Sequence, residues 1–448
     1  MTDMMTNMIT DNRKPWTNWS GSVLTHPHHI AYPASIEEVV ALIHQCASDG
    51  KYIRMVGSGH SFTPVAASDH VLVSLDRMQG IVSVDPAAHT ATVWAGTKLR
   101  QLGELLHTEG LAQENMGDID VQSIAGAIST GTHGTGASVG TIATQVTGIK
   151  VVNGLGEVLT CTVDTHPERF KALQISLGTL GIIVQVTLRL RPSYVLAYES
   201  KRMALADCLL QLPALRRENR HFEFFWFPYA DTCQVKLMNE GIAPTPTNKL
   251  RDYIKDHLLE NTTLKVLSEL CRLLPAATSA VSRLSASAVP VGSKADYSYR
   301  IFATERLVRF HEMEYNVPAE AMADVVREMR EAMERERFRV HFPIECRYVA
   351  ADDIWLSPSY GRDSAYIAVH MYRGMPYERY FEVMEQIFLR YEGRPHWGKM
   401  HSLAASQLKE RYPMWEQYAR IREQMDPQEL FLSPYMRQLL VTEGDDVL

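Results

Sequence analysis

Two stretches of glycine and small hydroxyl residues constrain this chain more than anything else in it. The first is Arg54-Met55-Val56-Gly57-Ser58-Gly59-His60-Ser61-Phe62. The second is Asn115-Met-Gly117-Asp118-Ile-Asp-Val-Gln-Ser123-Ile-Ala-Gly126-Ala-Ile-Ser129-Thr130-Gly131-Thr132-His133-Gly134-Thr135-Gly136. Loops this rich in Gly, Ser and Thr let backbone N–H groups approach a bulky anionic ligand without side-chain clashes. A histidine in such a turn, His60, is then available as a point of chemical attachment. The pattern is not the fingerprint of a parallel βαβ unit. The spacing of Gly131, Gly134 and Gly136 differs from it, and no strand-to-helix unit with a ribose-binding acid follows.

At 448 residues the chain exceeds one ordinary core, so two or more domains are expected. Its formal net charge of -7 argues against nucleic-acid binding. The six cysteines form no C-x-x-C pair, which excludes the usual zinc spacings, and no metal is expected. A reducing cytoplasm is the simplest setting for them. Residues 1–10 lack a basic start followed by an apolar core, and no apolar run approaches a spanning length. Membrane association is therefore not expected.

Ser35 and Glu38 read as the capping box of a helix with Ile36, Val39, Val40 and Ile43 on one face and Gly50 as its stop. A short strand over 52–56 leads into the first glycine turn. Strands are expected at 81–85 and 90–95, and a helix over 97–106 with Leu99, Leu102, Leu105 and Leu106 inward. A hairpin over 147–162 turns at Asn153-Gly154, and Gly178 to Gly181 turns into a long strand. Residues 241–297 read as an excursion from the core. Within it, residues 255–274, with Leu264, Leu267, Leu270 and Leu274, form either a packed cap helix or an amphipathic surface helix. The weakly basic polar face favours packing. After Pro318, Met322, Val325, Val326, Met329 and Met333 recur at helical spacing, as core residues do.

Two later strands carry chemistry. In Phe342-Pro-Ile-Glu345-Cys-Arg347, a period of two puts Glu345 and Arg347 on one face. Taken alone, that is also how a surface ion pair of little worth looks. His370 shares a face with Tyr366, Ala368 and Tyr372, either as a general base or as a satisfied core histidine. Arg394-Pro-His396-Trp397-Gly398-Lys399-Met-His401 concentrates polar, aromatic and cationic groups near the C-terminus.

In this order, the segments around His60, Gly117 to Gly136, Gly178 to Pro192, Glu345 to Arg347 and Arg394 to Lys399 resemble the flavoproteins of the vanillyl-alcohol-oxidase fold, in particular the aldonolactone oxidase branch, with alditol oxidases close by. The resemblance implies an α+β chain. A two-subdomain FAD-binding domain of the PCMH type would span 15–195. An α+β substrate cap would span 196–448, its last segment packing back on the flavin domain. It implies FAD, joined covalently through His60 alone, since 115–129 holds no cysteine for a second bond. Met55, Val56, Gly57, Ser58, Gly59, His60 and Ser61 would wrap the pyrophosphate. Ser123, Gly126, Thr130, Gly131, Thr132 and His133 would line the other side, and Ile182 or Ile183 would present backbone. His133 either orients the cofactor or satisfies loop carbonyls. Glu345 and Arg347 would face a sugar-lactone or polyol substrate, Lys399 the reacting hydroxyl, and Gly117 would leave room for dioxygen. Asp118 stands where alditol oxidases place a serine, which favours the lactone branch.

Overall fold

The computed structural model describes residues 9–10, 14–245, 262–303 and 307–442. The first sheet is small. His29–Ala31 and Ile53–Val56 both run parallel to Val71–Ser74, and Ile9–Thr10 adds an antiparallel edge. The helix Ile36–Ser48 connects the first two of these strands. Ser35 accepts the Glu38 N–H at 3.2 Å. The Glu38 carboxylate reaches back one residue further than a capping box requires, to the Ala34 N–H at 2.8 Å. Gly50 follows in the left-handed region at φ +61°, where a side chain is disfavoured.

The second sheet has five antiparallel strands in the order Val158–Thr162, Val146–Val152, Ile182–Arg189, Thr90–Trp94 and Ile81–Asp85. The hairpin turns where expected because the Asn153 side chain accepts the Leu155 and Glu157 N–H groups. The left-handed position is taken by Gly156. Helix Leu99–Thr108 buries Leu99, Leu102 and Leu106, while Leu105 is only half-buried.

The third sheet is the largest, with eight antiparallel strands. Their order is Gly292–Tyr297, Val195–Ala204, Thr232–Gly241, His221–Trp226, Ile344–Val349, Ser364–Tyr372, Phe310–Pro318 and Arg394–Pro395. Both faces of its central strands are covered. One face packs Phe222, Phe224, Ile344, Cys346, Ile367, Val369, Met313 and Tyr315 against helices that include Leu205–Glu218, Met322–Glu336 and Glu378–Arg390. The expected Met stripe lies in that core.

Residues 241–297 differ from the expected excursion. Gly292–Tyr297 is the edge strand of this sheet, paired with Val195–Ala204. Helix Thr262–Leu273 buries Ser268 and Cys271, with Leu264 and Leu267 against the cap core, while Leu270 and Leu274 are exposed. The start of that expected helix, 255–261, lies outside the described residues. Past the cap, helices Trp415–Met425 and Pro434–Leu440 bury Trp415, Tyr418, Ile421, Met425 and Met436 in the core of the first two sheets.

Candidate active site

The Ile53–Val56 strand delivers the first glycine turn beside the short helix Ile124–Ser129. Ser123 caps that helix, its hydroxyl accepting the Gly126 N–H at 3.3 Å. The approach leaves no room for a side chain, since a Cβ on Gly57 would stand 2.4 Å from the Ser123 hydroxyl. Between turn and helix lies an open cavity. Its wall includes Met55, Val56, Gly57, Ser58, Gly59, His60, Ser61, Ser123, Gly126, Thr130 and Ile183. Ile182 and Gly131 are not on this wall. The Ile182 side chain is fully buried in the core, and the positive-φ turn at Gly131 faces Ile175.

His60 fits a cofactor at this place. Its ring stacks on Trp19 (5.2 Å between centroids, 21° between planes), and its Nδ1 is buried with no hydrogen-bond partner in the structure. Burial, helped by the nearby Lys399 charge, pushes its pKa down to about 4, so the ring is neutral and a lone pair is free.

A second cavity adjoins the first and shares His60, Ser61, Gln122 and Thr130 with it. The second loop contributes Gly117, Asp118, Thr132 and His133. The cap sheet contributes Glu312, Glu314, Glu345 and Arg347, and the C-terminal motif His396, Gly398 and Lys399. Strand register assembles this wall. Glu345 pairs with Ala368 and Ala368 with Glu314, so the small Ala368 separates two carboxylates in one row. In the next row Glu223 pairs with Arg347 and Arg347 with Tyr366.

Arg347 is the hub. Its Nη2 meets the carboxylates of Asp118 and Glu345, and its Nε donates to Glu223 at 3.0 Å. Lys236 holds the other Glu223 oxygen at 3.2 Å. Burial opposes the Arg347 charge, but the carboxylates of Asp118, Glu345 and Glu223 outweigh it and hold the guanidinium pKa well above its ordinary value. Lys399 is placed by Glu312, 2.5 Å from its Nζ. Burial works against the Glu312 charge too, and Lys399 and His370 overcome it, keeping that carboxyl well below its usual range.

His370 is not on the cavity wall. It pairs in register with Glu312, its Nδ1 donates to the Pro343 carbonyl at 3.0 Å, and its Nε2 lies 3.4 Å behind Glu312. Phe310 and Phe342 enclose the ring. It touches the site through Glu312. His133 lies on the wall and satisfies a loop carbonyl. Its Nδ1 donates to the Gly134 carbonyl at 2.8 Å, and its Nε2 faces Glu314 at 3.3 Å.

Glu223, Glu312, Glu314, Lys236, Gln122 and His396 were absent from the expected site. The carboxylates had a visible signal, being single acids at alternating positions in otherwise apolar strands (Phe222-Glu223-Phe224; Glu312-Met313-Glu314). Two clusters place potential metal ligands within 4.8 Å of one another: His133, Glu314 and His396, and Asp118, Glu223 and Glu345. In the first, His396 Nδ1 accepts the Gly398 N–H at 3.0 Å, so that nitrogen is already engaged. In the second, Arg347 already supplies the cation.

A glycine-lined cradle beside a histidine whose Nδ1 has no hydrogen-bond partner, adjoining a charged cavity, suits an FAD-dependent oxidoreductase. The comparisons agree: the FAD binding domain family matches residues 27–162, and the D-arabinono-1,4-lactone oxidase family matches 186–439. The chain belongs to the D-arabinono-1,4-lactone oxidase family. It is 39% identical over 426 residues to the L-gulono-1,4-lactone dehydrogenase of Mycobacterium tuberculosis, covering 95% of this chain and 99% of that one. It is 30% identical to the L-gulonolactone oxidase of Scyliorhinus torazame, over 94% and 97%. Among solved structures, cholesterol oxidase from Brevibacterium sterolicum shares the fold at a TM-score of 0.79 and 17% identity, over 97% of this chain and 98% of that chain. No helix among the described residues is long and apolar enough to cross a membrane.

Proposed function

We propose that this protein oxidises a carbinol of an aldono-1,4-lactone, with L-gulono-1,4-lactone the first compound to test. The observation that carries this reading is the wall of Glu345, Arg347, Asp118, Glu312 and Lys399 facing a cavity continuous with the cofactor cradle. Carboxylates accept hydrogen bonds from sugar hydroxyls and repel an anionic substrate, which favours a neutral lactone over its ring-opened acid. FAD, when bound, supplies the hydride acceptor. The chain supplies the rest. Arg347 and Lys399 donate to the hydroxyl oxygen as it takes on alkoxide character and its proton passes to a carboxylate of the wall. Glu312, braced by His370, fixes the ammonium of Lys399, and His133 with Glu314 holds the loop side of the cavity.

We assign covalent attachment of the flavin to His60 on the strength of its neutral ring and unpartnered Nδ1. We assign dioxygen as electron acceptor, with hydrogen peroxide as product, on the strength of Gly117. A Cβ there would come within 3.0 Å of the His133 carbonyl and occupy the wall of the substrate cavity. We place the protein in the cytoplasm, where its six buried free thiols are stable.

The naming of the mycobacterial relative as a dehydrogenase favours a second reading, the same oxidation with a non-oxygen acceptor. Lactone, xylitol and sorbitol should be mixed with the holoenzyme without oxygen, and flavin absorbance followed. Bleaching by the lactone, faster than by either polyol, is expected, and no bleaching by any of them overturns the proposal. Admitting air should restore the absorbance with peroxide release, more slowly in Gly117→Ala. Recovery only with a quinone or cytochrome selects the second reading.

A further inference from the structure

Arg54 is a buried cation that the chemistry above does not use. It belongs to the wall of the cofactor cavity, and among the described residues on that wall it is the sole Lys or Arg. Only 2% of its surface is exposed. All five of its guanidinium N–H groups donate to main-chain carbonyls. Nε reaches Val65 at 2.8 Å, Nη1 reaches Gly178 at 2.8 Å and Phe431 at 2.7 Å, and Nη2 reaches Leu177 at 2.6 Å and again Val65. These carbonyls solvate the charge without neutralising it. Among the described residues no carboxylate forms an ion pair with it. Asp426 acts on it from beyond ion-pair distance, and its two oxygens instead take the N–H groups of Leu430 and Phe431.

A buried charge without a counter-charge is costly. The dinucleotide held by this family brings an anionic diphosphate to the cavity that Arg54 borders. The carbonyls that Arg54 gathers come from three distant parts of the chain: the segment after the glycine turn, the 177–178 turn and the C-terminal segment. Next to it, the Ile53 N–H donates to the Leu430 carbonyl at 2.8 Å, so the same strand end grips the C-terminal segment twice.

We propose that Arg54 is the fixed cation for the diphosphate of the bound dinucleotide, and that its fork of carbonyl contacts couples occupancy of the cavity to docking of residues 426–440. With every N–H already engaged, it acts on the diphosphate through its charge. When the diphosphate is bound, the buried cation is compensated and the carbonyl cage around it closes. Without it, the cage opens most easily at Phe431, where the chain has no covalent neighbour in the flavin sheets. This rests on FAD binding and not on the lactone assignment.

The test uses the full chain carrying His60→Ala, so that flavin binding is reversible, with FAD and riboflavin as probes. Fluorescence titration reads affinity and hydrogen exchange reads residues 426–440. With Arg54 intact, FAD should slow exchange in 426–440 by about tenfold or more, and riboflavin should not. Arg54→Met should weaken FAD by about tenfold or more and riboflavin by less than about twofold. Arg54→Lys keeps the charge and loses the fork. It should hold FAD affinity within about threefold while losing the FAD-dependent protection of 426–440. Equal weakening of FAD and riboflavin in Arg54→Met, or equal protection of 426–440 with and without FAD when Arg54 is intact, overturns the proposal. Neither readout needs turnover, so inactivity toward lactones leaves it standing.

Discussion

The cradle and the cap wall meet at His60, Ser61, Gln122 and Thr130, yet they are built from opposite materials. The cradle is mostly main chain, with Gly57, Gly59, Gly126 and Gly178 letting backbone come close to a ligand. The cap wall is mostly charged side chain, held by regular strands. Asp118, Glu223, Glu312, Glu314 and Glu345 are drawn around Arg347, Lys236, Lys399, His133 on the wall and His370 behind it. A main-chain cradle grips a large cofactor with few ionic contacts and does not care which lactone arrives. A side-chain wall can read hydroxyl positions, but each charge on it depends on the others.

The contrast breaks most visibly at Arg347. Arg347→Ala leaves Asp118, Glu345 and Glu223 facing one another without their shared cation. Flavin reduction by the lactone is expected to slow by about 10³-fold in stopped-flow, a loss of the size that follows removal of a transition-state donor. Global stability should fall by roughly 3–5 kcal/mol, as for other buried charges left unpaired. Flavin content per chain should stay at the unsubstituted level; if it falls in step with the rate, the two regions are not separable in this way.

Gly57→Ala is the reciprocal test. Its methyl group would stand 2.4 Å from the Ser123 hydroxyl, and overpacking of about 1–3 kcal/mol translates to about fivefold or more in flavin affinity. Absorbance at the flavin band against protein should show the loss, while the rate per bound flavin is retained. A variant with full flavin but slow turnover would mean that the turn shapes the chemistry as well as the grip.

Acid gives the smallest effect. Burial pushes the pKa of His60, His221, His341 and His401 down to about 4 and that of His396 to about 3, from an ordinary 6.5. Between those values the unfolded chain binds more protons than the folded one, so stability falls as pH drops from about 6.5 toward 4. Asp352 and Asp426, raised by burial to about 6 from 3.8, act in the opposite sense over much of the same window. Five groups against two leave a net loss. Tm should fall by about 5 °C or more between pH 7 and pH 5. Of the five, His221 lies on a strand of the eight-stranded sheet and none on the five-stranded one, so hydrogen exchange should quicken in the eight-stranded sheet before the Ile182–Arg189 sheet. A Tm that rises on acidification would put the aspartates in control.

How far each region could be read from sequence follows from the same difference. The glycine turns and the His60 motif are local, because close backbone approach needs glycine at fixed offsets, whatever the rest of the chain does. Helix Ile36–Ser48, the 146–162 hairpin and the Met322–Glu336 stripe are equally local, since a cap, an Asn turn and a 3.6-residue period are each complete within a few turns of chain. Glu345 and Arg347 were legible as a pair on one face, because they lie two residues apart on one strand.

Their partners were not. Glu223 meets Arg347 across 124 residues, and Glu312 reaches Lys399 only because Phe310–Pro318 lies beside the 396–400 segment, where the Met400 N–H donates to the Glu312 carbonyl at 3.0 Å. His370 shows the limit most clearly. Its strand and face were readable, but its depth was not, and the register that pairs it with Glu312 puts a carboxylate between it and the cavity. Sequence by itself determined the glycine turns and the histidine beside them, since these depend on short-range backbone sterics, and its resemblance to the aldonolactone oxidase branch implied the flavin. Only the tertiary structure decided which charges share the substrate wall and that the C-terminal segment closes over Arg54, because strand register and long-range docking bring together groups whose spacing along the chain carries no trace of their contact.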